Sequence, residues 1–271
     1  MTEDAWAGFC AARSHYRETL ERFSRSFRGL RDLQQRLVDN RSGPAYTVET
    51  ALVYNQALDE PGPADEIRLI LVGDNPGRRE QAARRYLVGP SGKIAEGFFR
   101  KTAELGVDLR RNVLILNKTP VHTPRTADLG ELCRLGGPEL GARIAETQRF
   151  MASLLLEFHR ALSAPGRPVP VWITGYSEMK KGGIFEPYTA ALAELYAGPA
   201  GEPPQGSPAN GFADGSADGP QDPLRDHVFL YRHFSMNQFS ADLRRQSLEG
   251  ESAQSALDRI GRSYRRRILG W

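Results

Sequence analysis

The sequence is poor in thiols. Among 271 residues only Cys10 and Cys133 are cysteines, far apart and in no C-x-x-C pair. Two thiolates exclude a four-cysteine zinc or iron–sulfur site made by this chain alone. Long apolar runs are also lacking: no stretch approaches the 18 residues a membrane helix needs. The first residues, Met1-Thr2-Glu3-Asp4, are acidic, the opposite of a basic secretory n-region. These features predict a reducing, cytoplasmic setting, with no membrane partner, metal or cofactor. Charge of one sign is scarce as well. A net charge of +3 permits a nucleic-acid partner without demanding one. No internal repeat is visible.

What is present is an ordinary globular composition, 40% hydrophobic and 25% charged, with enough apolar mass for a core. The first forty residues carry a helical period. Trp6, Phe9, Cys10, Tyr16, Leu20, Phe23, Phe27, Leu30 and Leu33 recur at steps of three and four, with Arg and Glu between them. Thr2 or Asp4 can cap the start, and Asn40-Arg41-Ser42-Gly43-Pro44 ends the run. This predicts a helical extension over about residues 1–42.

Four short apolar runs follow: Ile67–Val72, Val113–Leu116, Val169–Thr174 and His227–Tyr231. Continuous runs of this length suit strands buried on both faces, as in parallel sheets. Helical patterns separate them. Ile94, Phe98 and Leu105 form one, with Ser91 as the expected cap. Ile144, Met151, Leu154, Leu155 and Phe158 form another, opened by Pro138. Residues 187–196 form the third. Alternation of strand and helix predicts an α/β fold, three-layered αβα, with a central four-stranded parallel sheet. Residues 198–223, rich in Gly, Pro, Ala, Ser and Asp, read as a flexible insertion. The whole chain, 1–271, reads as one domain and as a monomer.

In open parallel sheets, ligands bind beyond the carboxyl ends of the strands. That rule selects Gly73-Asp74-Asn75-Pro76-Gly77, Asn117-Lys118-Thr119-Pro120, Gly175-Tyr176-Ser177 and His233-Phe234-Ser235-Met236-Asn237. Pro76 holds Asn75 out of the helical region. The Asn75 carboxamide then either aims into the crevice or bonds its own loop. Asn117 either caps the next element or offers a donor and an acceptor to a planar ring. His233 is one of five histidines and is either structural or functional.

In this order and placement, four segments resemble the uracil-DNA glycosylase superfamily: Leu71-Val72-Gly73-Asp74-Asn75-Pro76-Gly77, Tyr86-Leu87-Val88-Gly89-Pro90-Ser91-Gly92-Lys93, Leu114-Ile115-Leu116-Asn117 and His233-Phe234-Ser235. The G-x-N-P-G form is similar to the mismatch-specific and single-strand-selective branches. The V-G-P-S-G-K stretch is similar to the bacterial iron–sulfur branch, without its cysteines. The resemblance spans roughly residues 65–245 and rests on about thirty positions.

The resemblance implies base excision from DNA, with Asn75 placing the attacking water and His233 bonding uracil O2 as charge develops there. Asn117 would read the base edge, and backbone groups of Gly73 and Asp74 would complete the pocket. Leu87 stands where the family usually has a stacking aromatic. Ser235 would touch a flanking phosphate, and Lys93, Met236 and Asn237 would face DNA, Met236 and Asn237 at the position of an apolar wedge. The implied partner is DNA holding uracil or another damaged base, and the implied location is the nucleoid of a bacterial cytoplasm. A rim of Arg78, Arg79, Arg84, Arg85 and Lys93 either meets phosphates or is a solvated surface. Arg265, Arg266 and Arg267 read as a charge complement to a helix end. Two rivals remain open at this level: a non-catalytic DNA- or nucleotide-binding protein of the same fold, and an enzyme acting on a small nucleotide.

Overall fold

A computed structural model describes residues 1–197 and 222–271; most of the expected insertion lies outside the described residues. The four apolar runs become β1 (Leu69–Gly73), β2 (Val113–Asn117), β3 (Val171–Thr174) and β4 (Val228–Tyr231). They form one parallel sheet in the order β2-β1-β3-β4. Every strand residue is buried, as expected of a sheet covered on both faces.

Eight helices lie among the described residues: α1 (Glu3–Ser26), α2 (Leu30–Asp39), α3 (Arg78–Ala83), α4 (Pro90–Lys101), α5 (Asp128–Leu162), α6 (Glu186–Ala197), α7 (Gln238–Gln246) and α8 (Ala253–Leu269). Alternate strand residues point to opposite faces, and this divides the core in two. Ile70, Val72, Leu114, Leu116, Ile173 and Leu230 pack with α1, α5 and α6. Leu69, Leu71, Ile115, Trp172 and Phe229 pack instead with Phe98 and Phe99 of α4 and Phe239 of α7. The arrangement is that of a three-layer αβα fold.

Three local expectations change. The N-terminal period is two helices, because Gly29 takes a left-handed φ of 75° and turns the chain before α2. Thr2 caps α1, accepting from Ala5 N. Ser91 lies inside α4, whose first residue is Pro90, so the cap position falls to Gly89. Gly137, at φ 74°, interrupts α5 directly before Pro138, so Pro138 opens the second segment as its fixed φ allows. No helix among the described residues is long and apolar enough to cross a membrane.

Strand register sets the site. Gly73 pairs with Asn117, and Thr174 with Tyr231, so the strands end nearly flush. From β1 the chain steps outward to β2, then crosses back to add β3 on the other side of β1. The crevice of such a sheet opens where this reversal occurs, between β1 and β3.

Candidate active site

Gly73 and Asn117 are the terminal residues of β1 and β2, not loop residues beyond them. A Cβ on Gly73 would meet Asn117 Oδ1 at 2.5 Å, so glycine is what lets the Asn117 carboxamide lie over the end of β1. Asn117 is only 2% exposed, yet its Nδ2 has no hydrogen-bond partner. A buried, unpaired amide costs about 1–3 kcal/mol and therefore calls for an explanation. Of the Gly73 and Asp74 backbone groups expected to complete the pocket, both carbonyls accept the Lys118 backbone N–H.

Asn75 leaves the loop with a defined orientation. Its Nδ2 donates to Thr123 Oγ1 at 2.8 Å, and that hydroxyl gives its own proton to Arg125 O at 2.8 Å. Thr123 must therefore accept from Asn75, which fixes which end of the carboxamide is nitrogen. The amide nitrogen bonds the neighbouring segment, and Oδ1 accepts no hydrogen bond among the described residues.

Asp74 and Lys118, unremarked as side chains in the sequence, form the floor. Lys118 is wholly buried, and its Nζ donates to Asp74 Oδ1 and to Thr174 O, each at 2.5 Å. Thr126 Oγ1 donates to the other Asp74 oxygen at 3.3 Å. Burial pushes the Lys118 ammonium down and the Asp74 carboxylate pushes it back up, with the net direction downward. Gly175, at φ 78°, passes so close that a Cβ would meet Asp74 Oδ1 at 2.3 Å. Strands β1, β2 and β3 thus each contribute to one buried ion pair.

On the opposite side, the His233 ring is turned by its own loop. Ser235 N donates to His233 Nδ1 at 3.0 Å, so the neutral ring carries its proton on Nε2. Burial lowers the His233 pKa below the ordinary imidazole value, while Asp74 raises and Lys118 lowers it by smaller amounts. At neutral pH His233 is an uncharged Nε2–H donor. Beyond it, Met236 and Asn237 take consecutive left-handed conformations, φ 51° and 56°, and Met236 is 82% exposed. An apolar side chain is thereby held in solvent by backbone strain, a combination associated with functional loops. Helix α4 packs beside this turn, with Lys93 exposed on its first turn.

The Tyr86–Lys93 stretch does not present a stacking face. Tyr86 is wholly buried, donating to Val53 O at 2.6 Å and sharing a 2.8 Å bond with Tyr16 Oη. Leu87, also core, has φ 51°. Its backbone is held by Glu80 Oε1, which accepts Leu87 N at 2.5 Å, while Glu80 Oε2 accepts Gly77 N at 2.6 Å. One carboxylate thus ties the two motifs together. Gly92 is needed where it is, since a Cβ would fall 1.7 Å from Leu87 O. The arginine rim also divides. Arg78 lies over the Tyr46 ring at 5.0 Å, whereas Arg85 pairs with Glu60. Arg265 is a buried structural residue bonding Arg225 O, Asp226 and Trp271 O, not a helix-end surface charge.

A separate cleft of about 200 Å³, lined by Asn55, Glu60, Arg85, Arg110 and Ile115, runs along the outer edge of β2 and contains none of the strand-end residues. His122, another residue without a sequence signal, is buried. It donates from Nδ1 to Pro76 O at 2.8 Å, and its Nε2 accepts from Tyr46 Oη at 3.0 Å. Burial lowers its pKa to about 4. Only the pairing of Pro-Val-His-Thr with the 44–52 segment in space reveals this support. Against protein-family models and curated proteins, the sequence finds no match.

Proposed function

We propose that the protein is a DNA base-excision glycosylase of the uracil-DNA glycosylase superfamily, hydrolysing the N-glycosidic bond of uracil or a related damaged base. The observation that carries this reading is the buried Asn117 Nδ2 without a partner, at the same carboxyl edge of the sheet as the loop that carries His233, which burial holds uncharged. A planar base with a carbonyl and an N–H on one edge satisfies such an amide. Specificity of this kind arises where a site's buried polar groups are left unpaired by the wrong ligand.

The steps follow from the residues. The target nucleotide leaves the stack, because its glycosidic bond is out of reach inside a duplex. The Asn117 amide pairs with the base edge. The Asn75 oxygen orients a water toward the sugar C1′. As the C1′–N bond breaks, the base departs with the electron pair, and water supplies the hydroxyl at C1′ while its proton passes to solvent. A carboxamide is a poor general base, so the rate depends on stabilising the departing anion. His233 Nε2–H donates to the oxygen where that charge collects. Met236 supplies an apolar surface beside the vacated stack, and Ser235, Asn237 and Lys93 line the approach.

The test uses labelled oligonucleotides with one uracil, single-stranded or opposite G or A, followed by alkaline cleavage at abasic sites. Excision by the wild-type protein, falling by about 10²–10³-fold in Asn75→Ala and His233→Ala, is the expected result. Equal turnover in both variants removes the mechanism.

One observation favours a second reading, DNA binding without turnover. Tyr86 and Leu87 are both committed to the core, so that segment offers no aromatic face, a loss of roughly 1–3 kcal/mol of base stacking. A tight, salt-sensitive DNA complex that yields no abasic product is what this reading expects.

A further inference from the structure

The N-terminal extension reaches the crevice at one place. Gln34 of α2 donates to His122 O at 2.7 Å and to Ala51 O at 3.0 Å, while Gln35 donates to Tyr46 O at 3.1 Å. These bonds seat Tyr46 against His122, which in turn holds Pro76, the neighbour of Asn75. Three guanidinium groups stand on Tyr46 or on Asp128, one over the ring and two on the carboxylate. Arg78 lies over the Tyr46 ring. Arg41, directly beyond α2, donates to Asp128 Oδ2 at 2.8 Å. Arg125, two residues from the Thr123 that holds Asn75, donates to Asp128 Oδ1 at 3.0 Å. Burial raises the Tyr46 pKa to about 12, while Arg41 and Arg78 lower it and Asp128 raises it by smaller amounts.

The charge there does not balance. Asp128, nearly buried, is the one carboxylate shared by Arg41 and Arg125. Arg78 meets only an aromatic face, and His122 is uncharged at neutral pH because burial depresses its pKa. Among the ion pairs of the described residues, these three guanidiniums have one carboxylate partner between them, Asp128. Arg125 and Arg78 remain largely exposed, so an external anion can reach them. Fork-shaped guanidiniums on separate elements suit the paired oxygens of successive phosphates.

We propose that Arg41, Arg78 and Arg125, gathered around Tyr46 and Asp128, form a phosphate clamp for the DNA strand entering the crevice. The clamp thereby gives the N-terminal extension a role in substrate binding. The inference rests on the DNA reading above. It assigns to the extension and to the 123–128 segment a function that the four strand-end motifs do not contain. Arg41 and Arg125 are held ready by Asp128, so ordering them on DNA sacrifices little side-chain freedom.

The test is the salt dependence of binding to a fluorescent, uracil-free oligonucleotide, for the full chain and for Arg41→Gln, Arg78→Gln and Arg125→Gln. Each lost phosphate contact should lower the slope of log K against log salt by about 0.9 for duplex or 0.7 for single strands. Arg68→Gln, beside the opposite end of β1, should leave the slope unchanged. Thermal unfolding of each variant identifies any that fail to fold; Arg78→Gln, which breaks no ion pair, keeps the test interpretable. Slopes equal to wild type in all three overturn the clamp, as does binding of a mononucleotide as tight as that of the oligonucleotide. Uracil excision by the wild-type protein is scored separately. Reduced slopes without excision leave the clamp and remove the glycosylase reading, and excision with unchanged slopes does the reverse.

Discussion

The two sides of the crevice are built on different physical terms. The β1–β2 side is a closed network: Lys118 with Asp74 and Thr174 O, Asn75 with Thr123, and Pro76 with His122 and Tyr46. The β4 side is an open loop that strains its own backbone at Met236 and Asn237 and leaves Met236 in solvent. The first side holds groups whose geometry must not drift. The second leaves an apolar side chain in solvent on a backbone of consecutive left-handed residues.

The difference can be broken from the network side with the largest effect. Lys118→Met leaves the Asp74 carboxylate buried and unpaired, which should cost about 3–5 kcal/mol in urea unfolding. Adding Asp74→Asn should recover part of that loss. If the single substitution is neutral, the floor is not the tightly coupled network described here.

Acid acts on His122 of that side and also on His159, which bonds Tyr196 of α6. His122 and His159 both have pKa values lowered to about 4 by burial. The unfolded chain binds protons near pH 6.5, where the folded chain does not. Stability should therefore be intact above about 6.5 and fall as pH drops toward 4, by on the order of 3 kcal/mol per histidine at the acid end. Unfolding midpoints at several pH values check this, and His122→Phe should flatten the curve. His233 is depressed in the same direction, so on the proposed function excision should persist below the ordinary imidazole pKa before it fails.

Smaller effects sharpen the contrast. Tyr46→Phe leaves the buried His122 Nε2 without its donor and should cost about 1–2 kcal/mol, measurable by thermal unfolding. Met236→Gly relieves a left-handed residue while adding chain entropy, so stability should move by less than about 1 kcal/mol. DNA affinity in the same variant should fall, because the exposed apolar side chain is gone. A large loss of stability in Met236→Gly would place that loop with the rigid side.

Much of this architecture is legible along the chain because it is local. Runs such as Leu69–Gly73 and Val113–Asn117 carry strand type, burial on both faces and parallel order in their residue pattern alone. The strand-end rule then selects Asn75, Asn117 and His233 as neighbours before any contact is known. The turn at Gly29 and the break at Gly137 were less visible, since helical periodicity continues across both.

What the amino-acid order could not show is any feature whose partners lie far apart. Lys118 reads as one of many surface cations until β3 brings Thr174 O beneath it, 56 residues away. His122 carries no motif, and its role depends on Tyr46, 76 residues earlier. The resemblance set Leu87 at a base-stacking position, but Glu80 and the close approach of Gly92 hold that segment in the core. The sequence by itself determined the strands and their parallel direction, because periodicity and chain direction are properties of neighbours. Only the tertiary structure decided which polar groups are satisfied and which, like Asn117 Nδ2, have no partner among the described residues, because burial and hydrogen-bond partnership depend on distant segments meeting.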